Sequence, residues 1–150
     1  MEVISFYENE RQQHWLDEIG KSDWGAGAYL YQLLINGTFF DTVGEGSELL
    51  LLTDGDDLIS FCTYAEKDEI LSAEYSPWIG FVYTFPQYRG HRYIGALFEK
   101  IEYLAKEKNV PQIYISTDHI GLYEKYGFEY LKQMESIYGG TSRVYVKQIK

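Results

Sequence analysis

Arg89, Gly90, His91 and Arg92 stand where an extended apolar run, WIGFVYTF (78–85), closed by Pro86, gives way to residues spaced for a helix. The chemistry such a junction offers is anion binding. The first turn of a helix leaves several backbone N–H groups without intrahelical partners, and the helix dipole favours negative charge beside them. Gly90 permits close backbone approach, and Arg89 and Arg92 bring positive charge to an otherwise acidic chain. Gly95, one residue into the helix, keeps that face clear of a side chain. Arg89, Gly90, His91, Arg92, Tyr93, Ile94 and Gly95 are therefore expected to cradle a pyrophosphate.

Other chemistry is narrowed by composition. Cys62 is the only cysteine, so neither an intrachain disulfide nor a cysteine-based metal site can form, and His14, His91 and His119 are scattered. No metal is expected. With 13 basic and 23 acidic residues the formal charge is -10, which argues against nucleic acid as the partner and would draw in a cationic amine, although acidity also serves solubility. No run approaches the roughly 20 apolar residues that span a bilayer, and the acidic, polar start is unlike a signal peptide. The expectation is a cytoplasmic protein without a membrane partner. A chain of 150 residues, 45% apolar and 17% aromatic, fits one globular domain.

The elements that must position the junction follow from periodicity. Glu8 to Ile19 places Trp15, Leu16 and Ile19 on one helical face. Ser22 or Asp23 can cap a second helix carrying Ala26, Tyr29, Leu30, Leu33 and Leu34 and ended by Gly37. TFFDTVGEGS (38–47) reads as loop, with Phe39 and Phe40 either core or pocket lining. The stretch 48–70 contains two apolar runs around Asp54-Gly55, a hairpin signal, and 78–85 suits a central strand. Ile94, Leu97, Phe98, Ile101, Leu104 and Ala105 form one stripe of a helix, with Glu102 and Lys106 as an i,i+4 pair on its outer face. QIYIS (112–116) reads as a strand, Thr117 or Asp118 as the cap of a short helix ended by Gly127, and 128–134 with 142–149 as a closing hairpin.

The junction resembles the signature of the GNAT superfamily of acetyltransferases, which places R/Q-x-x-G-x-G/A at the start of the helix after the fourth strand. Here the chain reads Arg89, Gly90, His91, Arg92, Tyr93, Ile94, preceded by Pro86-Gln87-Tyr88. A second segment, GLYEKYGF from Gly121 to Phe128, is similar to the family's helix ending in L-Y-x-K-x-G-F. Two motifs in the right order are more specific than either alone, and the element order agrees over nearly the whole chain. The implied fold class is α+β: a single domain, 1–150, with a central, mostly antiparallel, twisted sheet flanked by helices. The chain departs from the signature at Arg92 and Ile94, where the family usually has glycines. Backbone donors do not depend on side-chain identity, so the binding mode survives if both side chains point away.

The resemblance implies an acetyltransferase with acetyl-CoA as cosubstrate and the primary amine of a small molecule or amino-acid-like compound as acceptor. The backbone of Val82, Tyr83 and Thr84 would pair with the pantetheine arm like an added strand, in the gap facing QIYIS. Tyr123 matches the family's general-acid tyrosine, and a phenol of ordinary pKa near ~10 is protonated at neutral pH. Its competing role is packing, as Tyr126 is expected to do. Glu69 and Glu74 lie near the strand that faces substrate in this family, and either could take the amine proton, although both also read as surface carboxylates. His119 could cap or pack, His91 is a phosphate neighbour, and Cys62 packs as a small apolar group. The acceptor pocket falls within Ser22 to Ser47. The displaced glycines favour a second reading, a CoA-binding sensor or interaction module with weak or no catalysis. Exposed sheet edges leave room for a homodimer.

Overall fold

The computed structural model describes residues 1–150. Its spine is the leucine run of β2 (Glu48–Asp54), which turns at Gly55, φ 61°, into β3 (Asp57–Ala65). Leu49 and Leu51 pack on one side of the sheet and Leu50 and Leu52 on the other, none more than 2% exposed. A strand covered on both faces reads as a continuous apolar run rather than an alternating one.

The strands form one seven-stranded sheet in the order β1-β2-β3-β4-β5-β7-β6. β4 (Trp78–Thr84) runs antiparallel to β3, and β5 (Gln112–Thr117) runs parallel to β4. The closing hairpin folds back so that β7 (Thr141–Gln148), not β6 (Glu129–Glu135), lies beside β5. On one face sits α4 (Ile94–Glu107), whose Ile94, Leu97, Phe98, Ile101 and Ala105 bury against Leu50, Leu52, Ile79, Ile113 and Ile115. The opposite face carries α1 (Gln12–Ile19), α2 (Gly25–Asn36) and α3 (Phe39–Val43), with Trp15, Ile19, Leu30, Leu33 and Phe39 on Leu49, Leu51 and Phe61. Each fully buried side chain of this kind contributes about 1.5–3 kcal/mol before entropy is counted. No helix is long and apolar enough to cross a membrane.

Several local expectations change. β1 (Glu2–Ser5) was not expected; it is four residues long and gains its order from pairing with Leu50–Thr53. The helix expected from Glu8 starts at Gln12, because Asn9 Oδ1 accepts hydrogen bonds from Arg11 N–H and Trp15 Nε1–H. Neither Ser22 nor Asp23 caps α2: the Asp23 carboxylate accepts the Tyr83 hydroxyl proton at 2.6 Å instead. The expected loop 38–47 contains α3, where Phe39 and Val43, one turn apart, bury together. Phe39 is core, and neither it nor Phe40 lines the main cavity. The strand expected to run on to Ile70 stops at Ala65, leaving 66–77 as a loop that touches the hairpin through an Ile70–Ser136 bridge.

The Glu102–Lys106 pair is replaced by a longer-range one. Glu102 Oε1 meets Lys147 Nζ at 3.0 Å, and the same ammonium donates to the Tyr126 carbonyl at 2.7 Å. Both partners of this ion pair are mostly shielded from solvent, where a charge pair is stronger than on an open helix face.

Candidate active site

A bulge in β4 makes the site. Thr63 pairs with Gly80 and Phe61 with Tyr83, so one residue of β3 stands opposite Phe81 and Val82 of β4. Phe81 takes φ 50°, in the left-handed region that a bulky side chain rarely occupies and that costs about 1–2 kcal/mol. Such a bulge bends its strand. β4 accordingly pairs with β5 only at Trp78 and Ile79, and beyond Gly80 the two strands part.

A cavity of about 640 Å³ opens there, within the usual range for small-molecule sites. Ile79 to Val82 line it from β4, and Ile115 to His119 from the end of β5 and the two residues after it. Of the backbone segment expected to face a pantetheine arm, only Val82 lines this space. The Tyr83 carbonyl accepts from Ser60 Oγ at 2.6 Å and the Thr84 carbonyl from Arg89 Nε at 2.8 Å, so both are already engaged. Ser116 Oγ, also in the cavity wall, is buried without a partner.

At the start of α4 the backbone N–H groups of Gly90, His91, Arg92, Tyr93 and Ile94 donate to no acceptor in the chain, whereas Gly95 N–H bonds the Arg92 carbonyl at 3.0 Å and Ala96 N–H the Tyr93 carbonyl at 3.1 Å. The free donors therefore end one residue before Gly95. Gly90, at φ 87°, and Arg92, at φ 57°, bend the loop into this shape. Arg89 is turned away: its guanidinium lies 5.4 Å over the Tyr83 ring, so Arg92 is the arginine left beside the free N–H run. His91 stacks on Tyr93 at 5.2 Å. Gly95 has space for a Cβ only 3.5 Å from the Tyr126 ring, which sets the run beside the turn that carries Tyr123.

That turn, Tyr123–Tyr126, is a single 3-10 turn closed by Gly127 at φ 92°. Tyr123 is buried against Phe98 and Phe128 and lines the cavity, while Tyr126 is half-buried. Burial, more than its neighbours Cys62 and Tyr126, pushes the Tyr123 phenol well above its ordinary value. His119 lines the cavity and is exposed. Cys62 is buried in the core, which pushes its thiol up.

The two expected carboxylates separate. Glu69 lines the cavity and accepts a hydrogen bond from Ser142 Oγ, whereas Glu74 is exposed, lies outside the cavity and sits 3.9 Å from Lys132. A group that sequence reasoning passed over, Asp68, also lines the cavity. Asp68 turns its carboxyl into the bulge: a Cβ on Gly80 would lie 2.3 Å from Asp68 Oδ1 and 3.0 Å from Thr63 Oγ1. Burial pushes the Asp68 carboxyl up to about 7; the Glu69 charge adds to this and the Glu69 backbone N–H opposes it. The signal that could have found it is Gly80, since a glycine inside a strand marks a bulge or a close approach.

The arrangement joins a carboxyl poised near neutrality, a protonated phenol and a strand gap beside a run of free N–H groups. Residues 5–128 match the sequence model of the acetyltransferase (GNAT) family. No curated protein matches the chain by sequence. Among solved structures, the fold is similar to the aminoglycoside 6'-N-acetyltransferase from Enterococcus faecium, at 13% identity and TM-score 0.71 over 100% of this chain and 98% of that one. An aminoglycoside 6'-N-acetyltransferase complexed with coenzyme A aligns at 13% identity and TM-score 0.68, over 100% and 98% of the two chains. A GNAT-family acetyltransferase from Staphylococcus aureus aligns at 16% identity and TM-score 0.64, over 99% of each. The chain belongs to the GNAT family of acetyltransferases and is an acyltransferase.

Proposed function

We propose that the chain, acting as one domain over 1–150, acetylates the primary amine of a small acceptor at the expense of acetyl-CoA, with Asp68 as general base and Tyr123 as general acid. The observation that carries this reading is that both groups line one cavity, Asp68 from beside β4 and Tyr123 from beyond β5. Acetyl-CoA supplies an acetyl group activated as a thioester. The N–H run from Gly90 to Ile94, with the Arg92 charge, suits its pyrophosphate, and the Val82 segment, where β4 has parted from β5, and the orphaned Ser116 hydroxyl suit its amide-bearing arm.

Asp68, with a carboxyl near 7, takes the proton that the amine nitrogen sheds; Tyr123, held protonated by burial, donates toward the sulfur. Glu69, fixed by Ser142, adds negative charge that attracts an ammonium to the site. Glu74 has no part. A CoA-binding module without catalysis would have no use for a carboxyl held against a strand glycine, which favours the enzyme reading.

The test is thiol release from acetyl-CoA across a panel of amines, alongside calorimetric titration with CoA. Turnover with at least one amine is expected; CoA binding without any acceptor would return the module reading. Arg92→Gly, which suits φ 57°, should raise the melting temperature and weaken CoA binding by no more than about tenfold, about 1.4 kcal/mol, because the backbone donors stay. Complete loss of binding would place the affinity in the guanidinium instead.

A further inference from the structure

The cavity is lined by rings that proton transfer does not need. Tyr29 on α2, Phe81 in the β4 bulge and Tyr138 at the tip of the β6–β7 hairpin line it together with the carboxyls of Asp68 and Glu69. The Tyr29 and Phe81 rings lie 6.1 Å apart and tilted by 36°, a usual aromatic pairing that leaves their outer faces open. Tyr29 is 41% exposed and Tyr138 69%, so each offers surface that an apolar group entering the cavity would cover. Phe81 is the more telling case. Its left-handed backbone would be easier for glycine, yet the position holds a large ring that is only half-buried and lines the cavity.

We infer that the acceptor is an arylalkyl amine, its ammonium at Asp68 and Glu69 and its ring among Tyr29, Phe81 and Tyr138; this rests on the acetyltransferase reading above. Carboxylates and aromatic faces lining one cavity match a molecule with one charge and one flat apolar body. A polyhydroxylated amino sugar fits poorly. Its several ammonium groups would meet Lys67, which also lines the cavity, and the Phe81 ring offers its hydroxyls no partner.

Initial rates with 2-phenylethylamine and tyramine, compared with butylamine, spermidine and kanamycin, test the assignment. The aryl amines should exceed butylamine in kcat/KM by about tenfold or more, the range that one apolar contact surface can supply. Tyr138→Ala, at an exposed hairpin tip, should remove most of that advantage through KM, without moving the KM for acetyl-CoA. A preference for spermidine, kanamycin or butylamine overturns the inference, as does an unchanged aryl preference in Tyr138→Ala. Turnover of another amine with no aryl amine acetylated overturns it while leaving the acetyltransferase reading in place. Absence of CoA binding overturns both.

Discussion

Asp68→Asn is expected to lower kcat/KM by about 10²–10⁴-fold and, at and above neutral pH, to raise the melting temperature. The activity loss follows from removing the proton acceptor while keeping its shape. The stability gain follows from the direction of the shift. The folded carboxyl titrates near 7 and its ordinary value is 3.8, so between those values the folded state holds a proton that the unfolded state has given up. Stability from this group is therefore complete below about pH 4, falls as pH climbs toward 7 and is level above. Asparagine carries no such slope. The gap between variant and wild type should open across that window to an upper bound of about 4 kcal/mol, less whatever the amide leaves unpaired. Melting curves from pH 4 to 8 read the gap, and the acid limb near 7 in wild-type kcat/KM reads the base. A variant with normal turnover, or melting curves that run parallel at every pH, would remove Asp68 from its role.

The second large effect is expected at Tyr123. Tyr123→Phe should reduce kcat by about 10²-fold with the KM for acetyl-CoA moved less than about threefold, as for loss of one donor that acts on developing charge. The ring already packs among Phe98 and Phe128, so phenylalanine fits and folding is preserved. Because burial raises the phenol, the wild-type enzyme should show no alkaline loss from Tyr123 below about pH 10. Steady-state rates over pH 6 to 10 check both points, and unchanged turnover would leave Tyr123 a packing residue.

The parts of the fold that could be read in the sequence are those set by local pattern. The stripe of α4, the stops at Gly37 and Gly127 and the hairpin at Gly55 depend on near neighbours in the chain, and all stand as expected. The parts that could not are set across the sheet. Lys67-Asp68-Glu69 looks like a solvated charge run, and only the contact with Gly80, twelve residues on, makes Asp68 different. Glu69 and Glu74 are alike in sequence, and the fold of loop 66–77 alone separates them. Arg89 and Arg92 are equally good anion ligands on paper. The Thr84 carbonyl and the Tyr83 ring claim the first, and nothing in the local pattern announces that.

The Lys147 ammonium ties the turn bearing Tyr123 to α4, through the Tyr126 carbonyl and the Glu102 carboxylate. Lys147 lies in β7, beyond the 5–128 segment that carries the family match. During synthesis, both recognisable motifs leave the ribosome before the residue that anchors one of them. The turn is pinned only once β7 is seated between β5 and β6.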